Sequence, residues 1–446
     1  MKALSLPAGQ VYKLILLFSL LLLFPAFTFA STGGEMPALL GIRIEYVLFA
    51  LTLLGVALFH KHTMYVALTG LVVILLFKLI FDPSFNFYYH ILGGAGREGE
   101  WRILLNLLGL LFGFAILAKH FEESGVPDIL PKYLPNDWKG GLVLLFLVLV
   151  MSSFLDNIAA AMIGGTMAMV VYKGRVHMAF LVAIIAASNA GGAGSVVGDT
   201  TTTLMWIDGI NPLWVTKAFL ASLAAFVIFG IVGAIRQQKF QAIQKDATIG
   251  VMVNHKKLIL VFIILVFAIA TNYYLDFPAA GVWIAILLGT TFTSTPWHEM
   301  KKAWRGTIFL MALVTCASLM PVEELPPASW QSAFALGFVS AVFDNIPLTK
   351  LCLDQGGYDW GVLAYTVGFG GSMIWFGSSA GVALSNIYPQ AKNTMSFLKQ
   401  GWFVIVAYII GFFIMIGIAG WHPHPAHKKY PVEEVPELHA SPVHME

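Results

Sequence analysis

Three aspartates, Asp156, Asp199 and Asp344, stand well inside long apolar stretches, and no Lys or Arg lies within the motifs around them. In a membrane each such carboxylate costs about 2.5–3.5 kcal/mol even on the gentler insertion scale, so each needs a compensating partner. The nearest basic residue is Lys350, six positions beyond Asp344. A small cation or a bound proton is therefore the compensation these residues call for. Around them stand amide and hydroxyl oxygens from Asn157, Asn189, Asn345, Thr201 and Ser378. Together with backbone carbonyls these are hard donors, suited to an alkali cation rather than a soft metal. Sodium is placed at Asp156, Asn157 and Asp199. A proton and a sodium ion compete for one carboxylate, and that competition is the simplest basis for exchange.

The same punctuation occurs twice. SSFLDNI at 152–158 matches SAVFDNI at 340–346 at Ser152/Ser340, Asp156/Asp344, Asn157/Asn345 and the following Ile. Downstream, Gly191, Gly192 and Gly198 are matched in spacing by Gly370, Gly371 and Gly377, with Asp199 opposite Ser378. Glycines at these positions permit the backbone to break, and broken backbone at membrane depth is tolerated only where protein buries it or a wet cavity lines it. Paired Gly-interrupted segments in two halves of a chain point to a secondary transporter with its site near the midplane.

The elements that must position these residues follow from composition. Of 446 residues, 11% are charged and 58% hydrophobic, with a mean hydropathy of +0.79. A soluble domain carries roughly 25% charge, so a large soluble catalytic domain is excluded and the chain reads as a non-enzyme. The net charge of +2 lacks the dense basic face a nucleic-acid partner needs. Cys316 and Cys352 show no ligand or redox spacing, and no cofactor is implied. Unbroken apolar spans are expected at 41–59, 63–81, 102–118, 214–235, 258–275, 279–293, 306–321 and 400–419. Four further stretches, 140–172, 176–206, 330–353 and 361–391, are interrupted in the middle. The expected fold is an all-α polytopic membrane protein with about ten transmembrane helices. Two re-entrant hairpins, 140–172 and 330–353, complete two inverted repeats.

Positive residues collect in cytoplasmic loops. With both hairpins re-entrant, segments 60–62, 119–139, 173–175, 236–257, 298–305 and 392–399 face the cytoplasm and hold 16 of the 24 Lys and Arg beyond residue 30. The opposite loops 207–213, 322–329 and 354–360 hold none. Residues 1–30 read as a signal peptide, with Lys2 and Lys13 before an apolar core and small residues before a cut at Ala30; an uncleaved anchor is the alternative. The domain plan is then a first helix and first repeat over 31–235, a cytoplasmic linker over 236–257, a second repeat over 258–420 and a polar, disordered tail over 421–446.

Plainer roles are also open. Asn157 or Asn345 can serve as an N-cap, the glycines can be a helix-packing surface, and some of Thr200–Thr203 can bond back to the preceding turn. Lys350 either pairs with Asp344 or reaches the surface. Glu45, Glu100, His90, His120 and His177 are expected at solvated membrane ends.

At the two DN tips and the SNAGGAGSVVGDTTTT segment, the sequence resembles the NhaD-type sodium/proton antiporters of the ion transporter superfamily, over about residues 40–420. The resemblance implies a cytoplasmic-membrane exchanger of sodium, with lithium as a second candidate ion, for protons. It also implies a homodimer in membrane lipid with a scaffold part and a mobile part. Position by position it implies site roles for Ser152, Asp156, Asn157, Asn189, Asp199, Thr201, Ser340, Asn345 and Ser378. The sequence departs from the pattern at Trp375 and Phe376, where smaller residues are expected. The superfamily also contains carriers of citrate, dicarboxylate and arsenite, so a sodium- or proton-coupled anion carrier is the main alternative. A membrane sensor or scaffold, lacking any output domain here, is a third.

Overall fold

The computed structural model describes residues 37–39, 41–59, 62–94, 97–244 and 252–425. The signal peptide at 1–30, the centre of the 236–257 linker and the tail beyond residue 425 lie outside them. Among the described residues the regular structure is helical apart from two antiparallel ladders, Ala38–Leu39 with Ile42–Arg43 and Gly93–Gly94 with Arg97–Glu98, and a single bridge between Tyr358 and His424.

Among the described residues, sixteen helices of eight residues or more carry the fold. They are α1 Ile44–Leu58, α2 Thr63–Phe81, α3 Trp101–Glu122, α4 Trp138–Ser152, α5 Asn157–Val171, α6 Met178–Ala193, α7 Thr200–Ile207 and α8 Ala218–Phe240. The second half adds α9 His255–Leu275, α10 Pro278–Gly289, α11 His298–Ser318, α12 Trp330–Ser340, α13 Asn345–Gln355, α14 Trp360–Gly370, α15 Ser379–Ile387 and α16 Thr394–Ala419. Five stretches, α2, α3, Pro212–Phe240 (which contains α8), α9 and α16, are long and apolar enough to cross a bilayer. The protein is a multi-pass membrane protein.

All eight unbroken spans expected from the sequence contain a helix, but the ends of several differ. Helix α16 begins six residues before its apolar run because the Asn393 side chain accepts from the Ser396 N–H at 2.9 Å, closing the first turn. Helix α11 begins eight residues early, in the charged segment His298–Arg305, whose Lys302–Glu299 pair at 2.7 Å lies one turn apart.

Each of the four interrupted stretches is a helix, a break and a second helix. The breaks fall at 153–156, 194–199, 341–344 and 371–378. Every second helix restarts on a polar residue at its N-cap: Asp156, Asp199, Asp344 and Ser378 respectively. The capping role open to Asn157 and Asn345 thus belongs to the preceding aspartates, and both asparagines occupy the first helical position.

Helices α6 and α14 form the centre. Every residue of α6 after Met178, and every residue of α14, is buried. Small residues allow this. A Cβ on Gly191 would stand 2.0 Å from the Leu149 carbonyl oxygen of α4, and one on Gly370 would stand 2.3 Å from that of Gly337 in α12. Each hairpin arm therefore lies against its broken helix at backbone contact distance. Gly191, Gly192 and Gly370 sit inside helices, while Gly198, Gly371 and Gly377 lie in the breaks. Gly191 and Gly370 serve close helix packing, whereas Gly192 faces the break, where a Cβ would stand 2.7 Å from the Gly198 carbonyl oxygen. Helix α9 lies at the periphery, turning Phe262, Val266, Ile269 and Tyr273 outward.

Several polar residues expected at solvated ends are interior. Glu45 is fully buried and bound to Arg43 at 2.6 Å. His90 is buried against the Ser318 hydroxyl at 3.0 Å, and His120 is fully buried. Of these residues, His177 stays partly exposed, accepting from the Ala179 N–H at the start of α6. Lys350 pairs with neither Asp344 nor solvent; it lies between Glu100 and Asp354, each 2.9 Å away. Apart from His177, these groups are interior because the helix ends carrying them are covered by neighbouring segments, which one-dimensional position does not reveal. The tail also begins packed: Asp359 holds both Lys217 Nζ and the His422 N–H, and the His424 ring stacks on Trp214 with centroids 3.9 Å apart.

Candidate functional site

The breaks in α6–α7 and α14–α15 meet the tip of the α4–α5 hairpin. Two equivalent bonds anchor the hairpins: Ser152 Oγ donates to the Ser188 carbonyl at 2.5 Å, and Ser340 Oγ donates to the Val367 carbonyl at 2.6 Å. Ser152 and Ser340, expected from the sequence in an ion site, are engaged with backbone and fix the two tips.

Asn189 is the hub. Its Oδ1 accepts from Asn157 Nδ2 at 3.1 Å, and its Nδ2 donates to Ser372 Oγ at 2.9 Å and Ser378 Oγ at 3.0 Å. All four residues are buried. The bonds join the first hairpin, the first broken helix and the second broken helix into one unit. Ser372 is not singled out by the sequence motifs. Its position directly after Gly370 and Gly371 is the signal that marks it.

Asp199 is buried with one oxygen occupied: Oδ1 accepts from the Thr201 N–H at 3.1 Å, while Oδ2 has no hydrogen-bond partner. The Thr201 hydroxyl is likewise buried and unpartnered. Buried polar atoms left in this state are rare and costly. The other threonines divide as their geometry dictates. Thr202 Oγ1 donates to the Ser195 carbonyl at 2.6 Å and Thr203 Oγ1 to the Val196 carbonyl at 2.9 Å, satisfying backbone freed by the break. A Cβ on Gly368 would stand 3.4 Å from Asp199 Oδ2. Gly368 occupies the place in the second half that Asn189 holds in the first, and its lack of a side chain leaves that carboxylate oxygen clear.

A cavity of about 630 Å³ reaches this point. Asp156, Asp199, Thr200, Thr203 and Ser379 form its inner end, and Lys119, Glu122, Glu299 and Lys302 its mouth. Between them the wall is apolar, supplied by residues such as Leu110, Phe114, Met162 and Leu310. Asp156 stands at the N-cap of α5. Among the described residues no ion pair involves Asp156, Asp199 or Asp344. The arrangement is two carboxylates and no basic side chain at the inner end of the cavity, with the buried, unpartnered Thr201 hydroxyl two residues from Asp199.

The second half is less engaged. Asp344 Oδ1 accepts from the Ile346 N–H at 3.0 Å and so caps α13. Neither Asp344 nor Asn345 bonds to the Asn189 hub, although the sequence pattern places both in the ion site beside Ser378, which does bond to it. Trp375 is buried, with its indole N–H donating to Thr394 Oγ1 at 3.0 Å. Neither Trp375 nor Phe376 lines the cavity, so the aromatic departure from the family pattern leaves the passage open.

Comparison with characterised proteins agrees with the motifs. No family model matches the chain. Sodium/proton antiporter 1 of Arabidopsis thaliana is 26% identical over 72% of this chain and 62% of its own length, so the chain spans less than two thirds of that relative. The Na(+)/H(+) antiporter NhaD of Vibrio cholerae is 23% identical over 68% of this chain and 76% of its own, and that of Halomonas elongata 23% over 70% and 75%. The chain is similar to NhaD-type antiporters over most of its length, as the DN tips and the SNAGGAGSVVGDTTTT segment imply.

Proposed function

We propose that the protein exchanges sodium, and also lithium, for protons across the cytoplasmic membrane, with the ion bound at Asp156, Asn157 and Asp199 and completed by the Thr201 hydroxyl. The observation that carries this reading is that Asp199, whose buried Oδ2 and neighbouring Thr201 Oγ1 both lack partners, lines the inner end of the cavity. A monovalent cation satisfies both oxygens at once and balances a carboxylate that has no basic neighbour. Protonation of the carboxylate satisfies it instead. The two occupants exclude each other, and alternating exposure of the site to the two sides turns that exclusion into antiport.

Sidedness follows from charge. The mouth residues Lys119, Glu122, Glu299 and Lys302 lie in or beside the Lys- and Arg-bearing segments assigned to the cytoplasm, so this conformation is open inward. Two inverted repeats, one re-entrant hairpin in each, and a homodimer moving its transport part against a scaffold complete the proposal. No cofactor enters it; sodium and protons are cargo. An organic-anion carrier is disfavoured because the cavity end holds two carboxylates and no Arg or Lys.

The test is ion flux in everted vesicles. Sodium addition should dissipate a preset pH gradient, and citrate should have no effect. A gradient that survives sodium while citrate accumulates would reverse the assignment.

A further inference from the structure

One buried charge cluster lies outside the ion site. Lys350 is 1% exposed in its side chain, and its Nζ stands 2.9 Å from Glu100 Oε2 and 2.9 Å from Asp354 Oδ1. Asp208, at the C-terminal end of α7, adds a third carboxylate close enough to act on the same ammonium. The two directly bonded partners differ in kind. Asp354 is one turn beyond Lys350 on α13, so it travels with the lysine. Glu100 immediately precedes α3, the helix whose opposite end lines the cavity mouth with Lys119 and Glu122.

The cluster therefore sits at the far end of the α3 interface. Toward Glu122 the cavity separates α3 and α11 from α5 and α7. Toward Glu100 those outer helices pack directly on α7 and α13, and the Lys350–Glu100 pair crosses that seam. The first hairpin has no such charge. The residue six positions beyond Asp156, as Lys350 is beyond Asp344, is Met162, which is exposed and lines the cavity. The seam with the ion pair is closed, and the seam with methionine is open.

We propose that the Lys350–Glu100 ion pair is the outer gate of the transporter: it closes the far side of the site in this conformation and parts when that side opens. The inference rests on the alternating-access reading of the function. The chemistry suits a reversible gate. When Glu100 withdraws, Lys350 keeps Asp354 and is not left as an unpaired buried charge, the costly outcome in apolar surroundings. Glu100 is already 14% exposed and gains water as it leaves.

The test uses the full chain in membrane vesicles with Cys316 replaced by Ser, leaving Cys352 as reporter. Cys352 is 2% exposed and lies two residues beyond Lys350 on α13. A membrane-impermeant maleimide applied at the face opposite the cavity mouth should label it slowly. In Glu100→Gln the rate should rise about tenfold, as expected when an ion pair favouring one of two states is removed. Labelling unchanged in a Glu100→Gln variant of normal folded yield would overturn the proposal. A second arm replaces Glu100 and Lys350 by Cys in a background lacking native cysteines and joins them with a reducible thiol cross-linker. Flux should stop when the link forms and return on reduction; full flux through the linked protein would also overturn the gate. Because labelling is read without transport, a rise in labelling with no sodium/proton flux would support the gate and count against the exchange assignment alone.

Discussion

The two halves of the molecule share a frame and differ in chemistry. In both, a hairpin serine donates to a carbonyl of the neighbouring broken helix, at 2.5 and 2.6 Å, and a glycine brings the same two backbones into contact. The functional positions then diverge. Asp199 in the first half faces Ser378 in the second, and Asn189 is answered by Gly368. Asp156 lines the cavity, whereas Asp344 does not and caps α13. A duplicated frame therefore does not imply a duplicated site. The first half supplies the two carboxylates that line the cavity, and the second supplies two hydroxyls that bond Asn189, a gap beside Asp199 and a third carboxylate, Asp344, outside the cavity lining.

This asymmetry can be broken experimentally in order of effect. Asp199→Asn and Asp156→Asn should each reduce exchange in everted vesicles to the level of vesicles without the protein, while Western detection shows normal membrane content. Activity retained in both would remove the first half from the site. Asn189→Ala removes the hub of four side chains and should lower exchange by about 10- to 100-fold, from the ~1–3 kcal/mol cost of leaving buried polar partners unmade. Asp344→Ala should act mainly on stability, lowering the thermal midpoint through the ~1 kcal/mol worth of an N-cap, with exchange per folded molecule largely kept. A loss as deep as that of Asp156→Asn would show the halves to be chemically equivalent after all. Ser378→Ala should be mildest, a several-fold loss matching one hydrogen bond of about 1 kcal/mol, because Ser372 still holds Asn189.

Much of this arrangement is legible in the sequence. The four interrupted stretches, the doubled DN tip and the Gly-Gly-x5-Gly spacing locate every break, since a cluster of polar residues and glycines inside an apolar run cannot continue as a lipid-facing helix. Asp199 and Thr201 are recognisable by type and position. Sequence does not show which oxygens remain free once local bonding is complete. Thr201, Thr202 and Thr203 are adjacent and chemically identical, yet two serve backbone carbonyls and one keeps its hydroxyl unpartnered. The same limit applies to Gly191 and Gly370, whose type suggests unwinding and whose place is a helix contact. It applies to Lys350 as well, whose partner Glu100 lies 250 positions away in the chain and is brought near only by the packing of α3 against α7 and the seating of α13 beside them.

The central claim is that sodium and a proton compete for the same buried carboxylate at Asp199. Calorimetric titration of the purified protein with sodium at a series of pH values tests it most directly. The account predicts that sodium affinity falls as pH is lowered, approaching about tenfold per pH unit when one proton is displaced per ion, and that Asp199→Asn abolishes the binding heat. Sodium affinity that does not change with pH, or persists in Asp199→Asn, would contradict it.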